Sequence, residues 1–210
     1  MGNSTNNIQI QFNYLDVENC FKNFYVVPDY QREYVWTEVQ INQLLDDIYE
    51  EFDFNPNKEY FIGSTVVFKN NDGFYELIDG QQRTTSIFLI ICAFKKIYRE
   101  REIDTDTIER MIKDKTVNSL GDSVDCYKLE LQYKDSSNIL SKIANNLERP
   151  ENLTGSAERL YNAYENVISF LKNRFKEDED PVQLKKFFVY IFRKLKFIQI
   201  ETPEINDALK

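Results

Sequence analysis

The residues best suited to chemistry are gathered in one short stretch, Asp79-Gly80-Gln81-Gln82-Arg83-Thr84-Thr85. It follows a β-favouring run, Gly73 to Ile78, and precedes a segment from Thr84 to Tyr98 that holds the apolar block Ile87 to Phe94. Strand, sharp turn and helix are therefore expected in that order. A helix N-terminus leaves its first N–H groups without partners and carries partial positive charge, so two Gln, an Arg and two hydroxyls placed there form a cradle for an anion or a phosphate. Gly80 removes the side chain that would block close approach. A purely architectural reading also fits part of the stretch. Asp79-x-x-Gln82 has the form of a capping box, with the carboxylate as N-cap and a Gln three residues on. That reading leaves Gln81 and Arg83 unexplained.

Elements with a clear sequence pattern surround the turn. Tyr60 to Phe68 reads as a strand and Asn70-Asn-Asp-Gly73 as a tight turn into Phe74 to Ile78, which makes an antiparallel hairpin. The helix after the turn is apolar nearly all round and is expected to be buried, which fixes its start in space. Upstream, Tyr25-Val-Val27 should be a brief strand ended by Pro28, and the irregular segment that follows carries Tyr30, Gln31, Arg32, Tyr34 and the only Trp, Trp36. Thr37-Glu-Val-Gln40 is a second capping-box form, opening a helix with Ile41, Leu44, Leu45, Ile48 and Phe52 on one face. Asp46, Asp47, Glu50 and Glu51 read as the wet face of that helix rather than as a metal site.

Composition bounds the chemistry. The 210 residues are 42% hydrophobic and 29% charged, an ordinary globular balance able to bury a core. Net charge is −9, so nucleic acid repels the chain as a whole and any contact with DNA needs a local basic face or a partner. Histidine is absent, which excludes Ser-His-Asp and Cys-His nucleophiles, His-based zinc sites and an HNH nuclease centre within these residues. None of the six glycines begins a Walker A loop. Cys20, Cys92 and Cys126 lack framework spacing, and no apolar run is long enough to span a bilayer, so a soluble cytoplasmic protein with reduced thiols is expected.

The fold class expected is α+β, a small α/β unit with a mixed sheet followed by a mainly helical part. Residues 11–102 are read as the unit carrying both polar stretches, 103–125 as a linker or exposed insertion, and 126–210 as the helical region. Residues 1 to about 8 are polar and expected to be loose. Asn13 to Phe24 is expected to hold a short helix, Tyr127 to Tyr133 a strand, and Ser137 to Leu147 a helix. Ser156 to Phe175 shows helical spacing of Leu160, Tyr164, Val167, Ile168 and Leu171, and Phe197 to Glu201 reads as a last strand. Between them, Asp180-Pro181 opens a helix without acidic residues, and Lys185, Lys186, Arg193 and Lys194, continued by Lys196, make the best basic patch and a candidate DNA-binding face.

The sequence resembles the GmrSD restriction endonuclease N-terminal domain family. Val27-Pro28-x-Tyr30-Gln31-Arg32-x-Tyr34-x-Trp36, then Tyr60-Phe-Ile-Gly63, then Asp79-Gly80-Gln81-Gln82-Arg83-x-Thr85 look like its successive signatures. The resemblance implies a ParB- and sulfiredoxin-like fold in which a Gly-x-x-Arg turn, here Gly80 and Arg83, holds nucleotide phosphates. It implies nucleoside triphosphate binding and hydrolysis, with Mg²⁺, serving restriction of modified phage DNA. In that reading Asp79, Gln81, Gln82 and Arg83 are catalytic, and Gly80, Arg83, Thr84 and Thr85 bind nucleotide. Tyr30, Gln31 and Arg32 contact either the nucleotide or a modified base. DNA cleavage is expected from a separate or missing HNH-type domain. Two alternatives stay open at this point, a ParB-like DNA-sensing module without turnover and a protein-interaction scaffold.

Overall fold

The computed structural model describes residues 10–117, 120–133, 138–178 and 180–203. The expectation of a loose N-terminus falls outside them. The architecture is α+β, built on a mixed six-stranded sheet. Its strands are β1 (Gln11–Asp16), β2 (Tyr25–Val27), β3 (Tyr60–Lys69), β4 (Tyr75–Asp79), β7 (Leu129–Leu131) and β8 (Leu195–Thr202), in the order β1-β8-β3-β4-β2-β7. β8 lies antiparallel to β1 and parallel to β3, whereas β3 and β4 form the expected antiparallel hairpin. A separate ribbon pairs β5 (Lys113–Val117) with β6 (Ser123–Tyr127).

The sheet therefore takes strands from both sides of residues 103–125. Within that stretch, α4 (Asp106–Ile112) buries Ile108, Met111 and Ile112, while β5 and β6 are largely exposed. Along β8, Leu195, Phe197 and Gln199 are buried and Lys196, Ile198 and Ile200 half-buried, the period-2 alternation of a sheet with one packed face. Asn13 to Phe24, read as a short helix, is helical only over the single turn α1 (Val17–Cys20); its first four residues belong to β1. Asp16 accounts for the switch. Its carboxylate accepts from the Asn19 backbone N–H at 2.7 Å and so caps the turn as soon as the strand ends.

The helical layer holds α2 (Glu38–Phe54), α3 (Gln81–Glu100), α6 (Gly155–Arg174) and α7 (Val182–Lys194), with the one-and-a-half-turn α5 (Ile139–Ala144) beside them. The Thr37–Gln40 box opens α2, with the Thr37 backbone N–H donating to Gln40 Oε1 at 2.8 Å. α3 is the centre of the core. Ile87, Phe88, Leu89, Ile90, Cys92, Ala93 and Phe94 are all inaccessible to solvent, as the all-round apolar pattern demands. Aromatic rings join α2 and α7 to it, with Phe187 against Phe52, Tyr49 and Phe94. No helix among the described residues is long and apolar enough to cross a membrane.

Candidate functional site

The turn from β4 into α3 is made by Gly80, with φ 85° and ψ 5°. A left-handed residue reverses the chain in one step, and a side chain there would put its Cβ 2.8 Å from Thr65 Cγ2 and 3.0 Å from the Ser64 carbonyl oxygen. Gly80 occupies the N-cap position and offers no side-chain acceptor. The first intrahelical bond runs from the Thr84 N–H to the Gly80 carbonyl at 3.0 Å. The N–H groups of Gln81, Gln82 and Arg83 thus have no protein acceptor among the described residues. The Asp79–Gln82 capping box does not form, because Asp79 is still the last residue of β4 and stands exposed.

Gln82 is used differently. Its side chain is buried and bonds the backbone of the upstream polar segment, accepting from the Val35 N–H at 2.8 Å and donating to the Glu33 carbonyl at 2.9 Å. Tyr34, between those two residues, is wholly buried and shares a hydrogen bond of 2.9 Å with Ser86 Oγ, one turn further along α3. From the other side, Arg159 Nε of α6 donates to the Tyr34 carbonyl at 2.8 Å. The two polar stretches are therefore one unit, tied by Gln82, Ser86 and Arg159. Arg159 carries no signal in the sequence, where it is one basic residue on an amphipathic helix.

Arg83 extends over β3. Gly63, with φ 124°, lies where the β3–β8 register shifts, and a Cβ there would meet Arg83 Nη1 at 2.3 Å. The third stretch, Tyr60 to Gly63, so provides the floor beneath the guanidinium. Arg83 is half-buried, has no ion-pair partner among the described residues, and lines a groove of about 420 Å³ with Trp36, Gln40, Gln43, Asp47 and Tyr60. Burial first, then the Asp47 and Glu51 carboxylates, push the Tyr60 phenol up, and Arg83 opposes them. The groove thus has a cationic wall at Arg83 and an acidic one at Asp47, whose Oδ1 accepts from Gln43 Nε2 at 2.6 Å.

The remaining residues singled out in the sequence divide. Thr84 and Thr85 are 1% exposed, and the Thr84 hydroxyl already donates to the Gly80 carbonyl at 3.1 Å. Gln81 is 9% exposed beside them. Tyr30 is exposed and donates to Glu76 Oε2 at 3.2 Å; burial, then the Glu76 charge, push its phenol up to about 12. Neither Tyr30, Gln31 nor Arg32 lines the Arg83 groove, which receives Trp36 from that segment instead. In the basic patch, Arg193 pairs with Glu18 at 3.6 Å, and Lys196 with Asp16 at 3.5 Å and Glu59 at 3.3 Å. Lys185, Lys186 and Lys194 line a different groove.

A protein-family model, GmrSD restriction endonuclease, N-terminal domain, matches residues 14–210. The chain belongs to this family. A search of curated proteins finds no match. Membership makes the protein a component of a restriction or phage-defence system, and the family signatures meet at one place, the mouth of α3. Within this GmrSD N-terminal domain, Gln82→Ala should remove both amide bonds to residues 33–35. A loss of about 2 kcal/mol is expected, seen as a fall of roughly 4–8 °C in Tm. Gln82→Glu keeps the acceptor for the Val35 N–H but sets a buried carboxylate against the Glu33 carbonyl, and should lose at least as much. A melting curve unchanged in both variants would refute the tie.

Proposed function

We propose that this chain binds a nucleoside triphosphate at the Asp79–Arg83 turn and hydrolyses it, within a defence system directed at modified phage DNA. The observation that carries the reading is the coincidence of three N–H groups, on Gln81, Gln82 and Arg83, that have no acceptor among the described residues, with an Arg83 guanidinium that no carboxylate among the described residues neutralises. Both are donors of the kind that phosphate oxygens accept, and together they supply the positive field a triphosphate needs. The nucleoside then extends into the groove toward Trp36 and Asp47.

Hydrolysis asks for a positioned water and for charge stabilisation on the γ-phosphoryl group. Asp79, exposed at the end of β4 with a carboxylate that has no hydrogen-bond partner among the described residues, is the group we assign to orient that water. As water oxygen bonds to the γ-phosphorus, the bridging bond breaks and the nucleoside diphosphate leaves. Mg²⁺ bound to the triphosphate would need only one or two protein carboxylates, and Asp79 at the end of β4 and Asp47 in the groove wall would supply them; the ion would neutralise charge on the phosphates. Cutting of DNA belongs to a separate nuclease domain of HNH type, since the chain has no histidine.

Phosphate release from ATP, GTP, CTP and UTP, measured alongside binding of a non-hydrolysable analogue of each, tests this. Release with at least one nucleotide is expected, and Asp79→Asn should slow it by about tenfold or more while the analogue still binds. Binding without release would leave a nucleotide-gated sensor. Absence of binding for all four would overturn the assignment.

A further inference from the structure

α7 has an outward face that its sequence makes unusual. Leu184, Phe187, Phe188, Ile191 and Phe192 are buried in the core, yet the opposite stripe holds Val182 and Val189, 44% and 46% exposed, with Lys185 and Lys186 between them. An outward helix stripe is ordinarily polar throughout. This one faces Phe52, Pro56 and Asn57 at the end of α2 across a groove of about 560 Å³, closed at one end by Lys194. Among the described residues no acidic side chain lines the groove. Lys185, Lys186 and Lys194 have no ion-pair partner among the described residues, in contrast to Arg193 and Lys196. In the wall, the Tyr190 hydroxyl is buried without a hydrogen-bond partner among the described residues.

We propose that the α7 groove docks a segment of a partner polypeptide in which carboxylates flank apolar side chains. From Val182 to Lys194 the stripe runs about 18 Å, the length of a helix of roughly 12 residues, and a helix laid in such a groove presents apolar anchors at the same spacing. Three unpaired lysines on a chain of net charge −9 mark this face as the place where an acidic partner is attracted rather than repelled. A DNA duplex satisfies the lysines but leaves the valine stripe and Phe52 unfilled, because phosphates carry no apolar group. A second copy docked through the same face would set lysines against lysines about a two-fold axis.

Selection of random peptides of about 12 residues displayed on phage, against the full chain, tests the assignment. The enriched peptides are expected to combine Asp or Glu with Leu, Ile, Val or Phe. Fluorescein-labelled copies should lose at least about tenfold in affinity on Lys185→Glu with Lys186→Glu, and separately on Val189→Asp, with melting curves unchanged. All three substitutions are at exposed positions, so folded variants are expected. No enrichment, peptides without acidic residues, or binding indifferent to Val189→Asp would overturn the proposal. So would a DNA duplex that binds through the lysines without regard to Val189, or a concentration-dependent dimer that Val189→Asp dissolves.

Discussion

Arg83→Ala is expected to weaken triphosphate binding by about 10²–10³-fold while shifting Tm by no more than about 2 °C. Two charge-assisted hydrogen bonds from one guanidinium contribute roughly 3–5 kcal/mol to a phosphate complex, which sets the size of the loss. The small effect on folding follows from what Arg83 does in the free protein: it makes no ion pair among the described residues and rests on the backbone of Gly63. Removing it breaks little. Isothermal titration of wild type and variant, each checked by its melting curve, makes the comparison. Equal affinity would place the nucleotide elsewhere, and a collapsed Tm would mean that Arg83 is structural.

Gly63→Ala should reach the same functional end by another route. The added Cβ would lie 2.3 Å from Nη1 and 2.9 Å from Cζ of Arg83, so the guanidinium must leave its position over β3. The backbone at φ 124° adds a strain of about 1–3 kcal/mol for any residue with a side chain. Expected, then, are a fall in Tm of roughly 3–10 °C and a loss of triphosphate affinity approaching that of Arg83→Ala. The double variant is the sharper measurement. If Gly63 matters to binding only through Arg83, Gly63→Ala should cost almost nothing further in affinity once Arg83 is alanine, the non-additivity of residues that act as a unit. Additive losses would show that Gly63 has its own part in the site.

Much of the frame is legible in the residues alone. The hairpin from Tyr60 to Ile78 and the buried α3 follow local rules, alternation and all-round apolarity, and both stand where those rules put them. The Thr37–Gln40 box is legible for the same reason. The Asp79–Gln82 box is not, because Gly80 can adopt a positive φ and become the N-cap itself, which frees Gln82 to bond a segment nearly fifty residues away. Such long-range pairings leave no periodic mark. Arg159 on the Tyr34 carbonyl and the half-neutralised basic patch are of this kind, settled by tertiary neighbours that spacing does not specify. The groove is likewise set by tertiary packing, which brings Trp36 and Asp47 opposite Arg83 and leaves Tyr30, Gln31 and Arg32 outside it.

The position of β8 sets when the frame around the α3 turn is completed during synthesis. β8 pairs with Gly63, Ser64 and Thr65, the backbone that supports Arg83 and crowds Gly80, through Phe197, Ile198 and Gln199. Translation delivers residues 60–83 long before residues 195–202, so the nascent chain carries every signature residue while the β3 edge that β8 covers is still open. That edge is covered only once β8 has been made, and β8 joins β1 and β3 across a gap of more than forty residues in one step. A chain that stops between α3 and β8 carries every signature residue but lacks the strand paired with Gly63, Ser64 and Thr65, so the backbone beneath Arg83 is left without its neighbour.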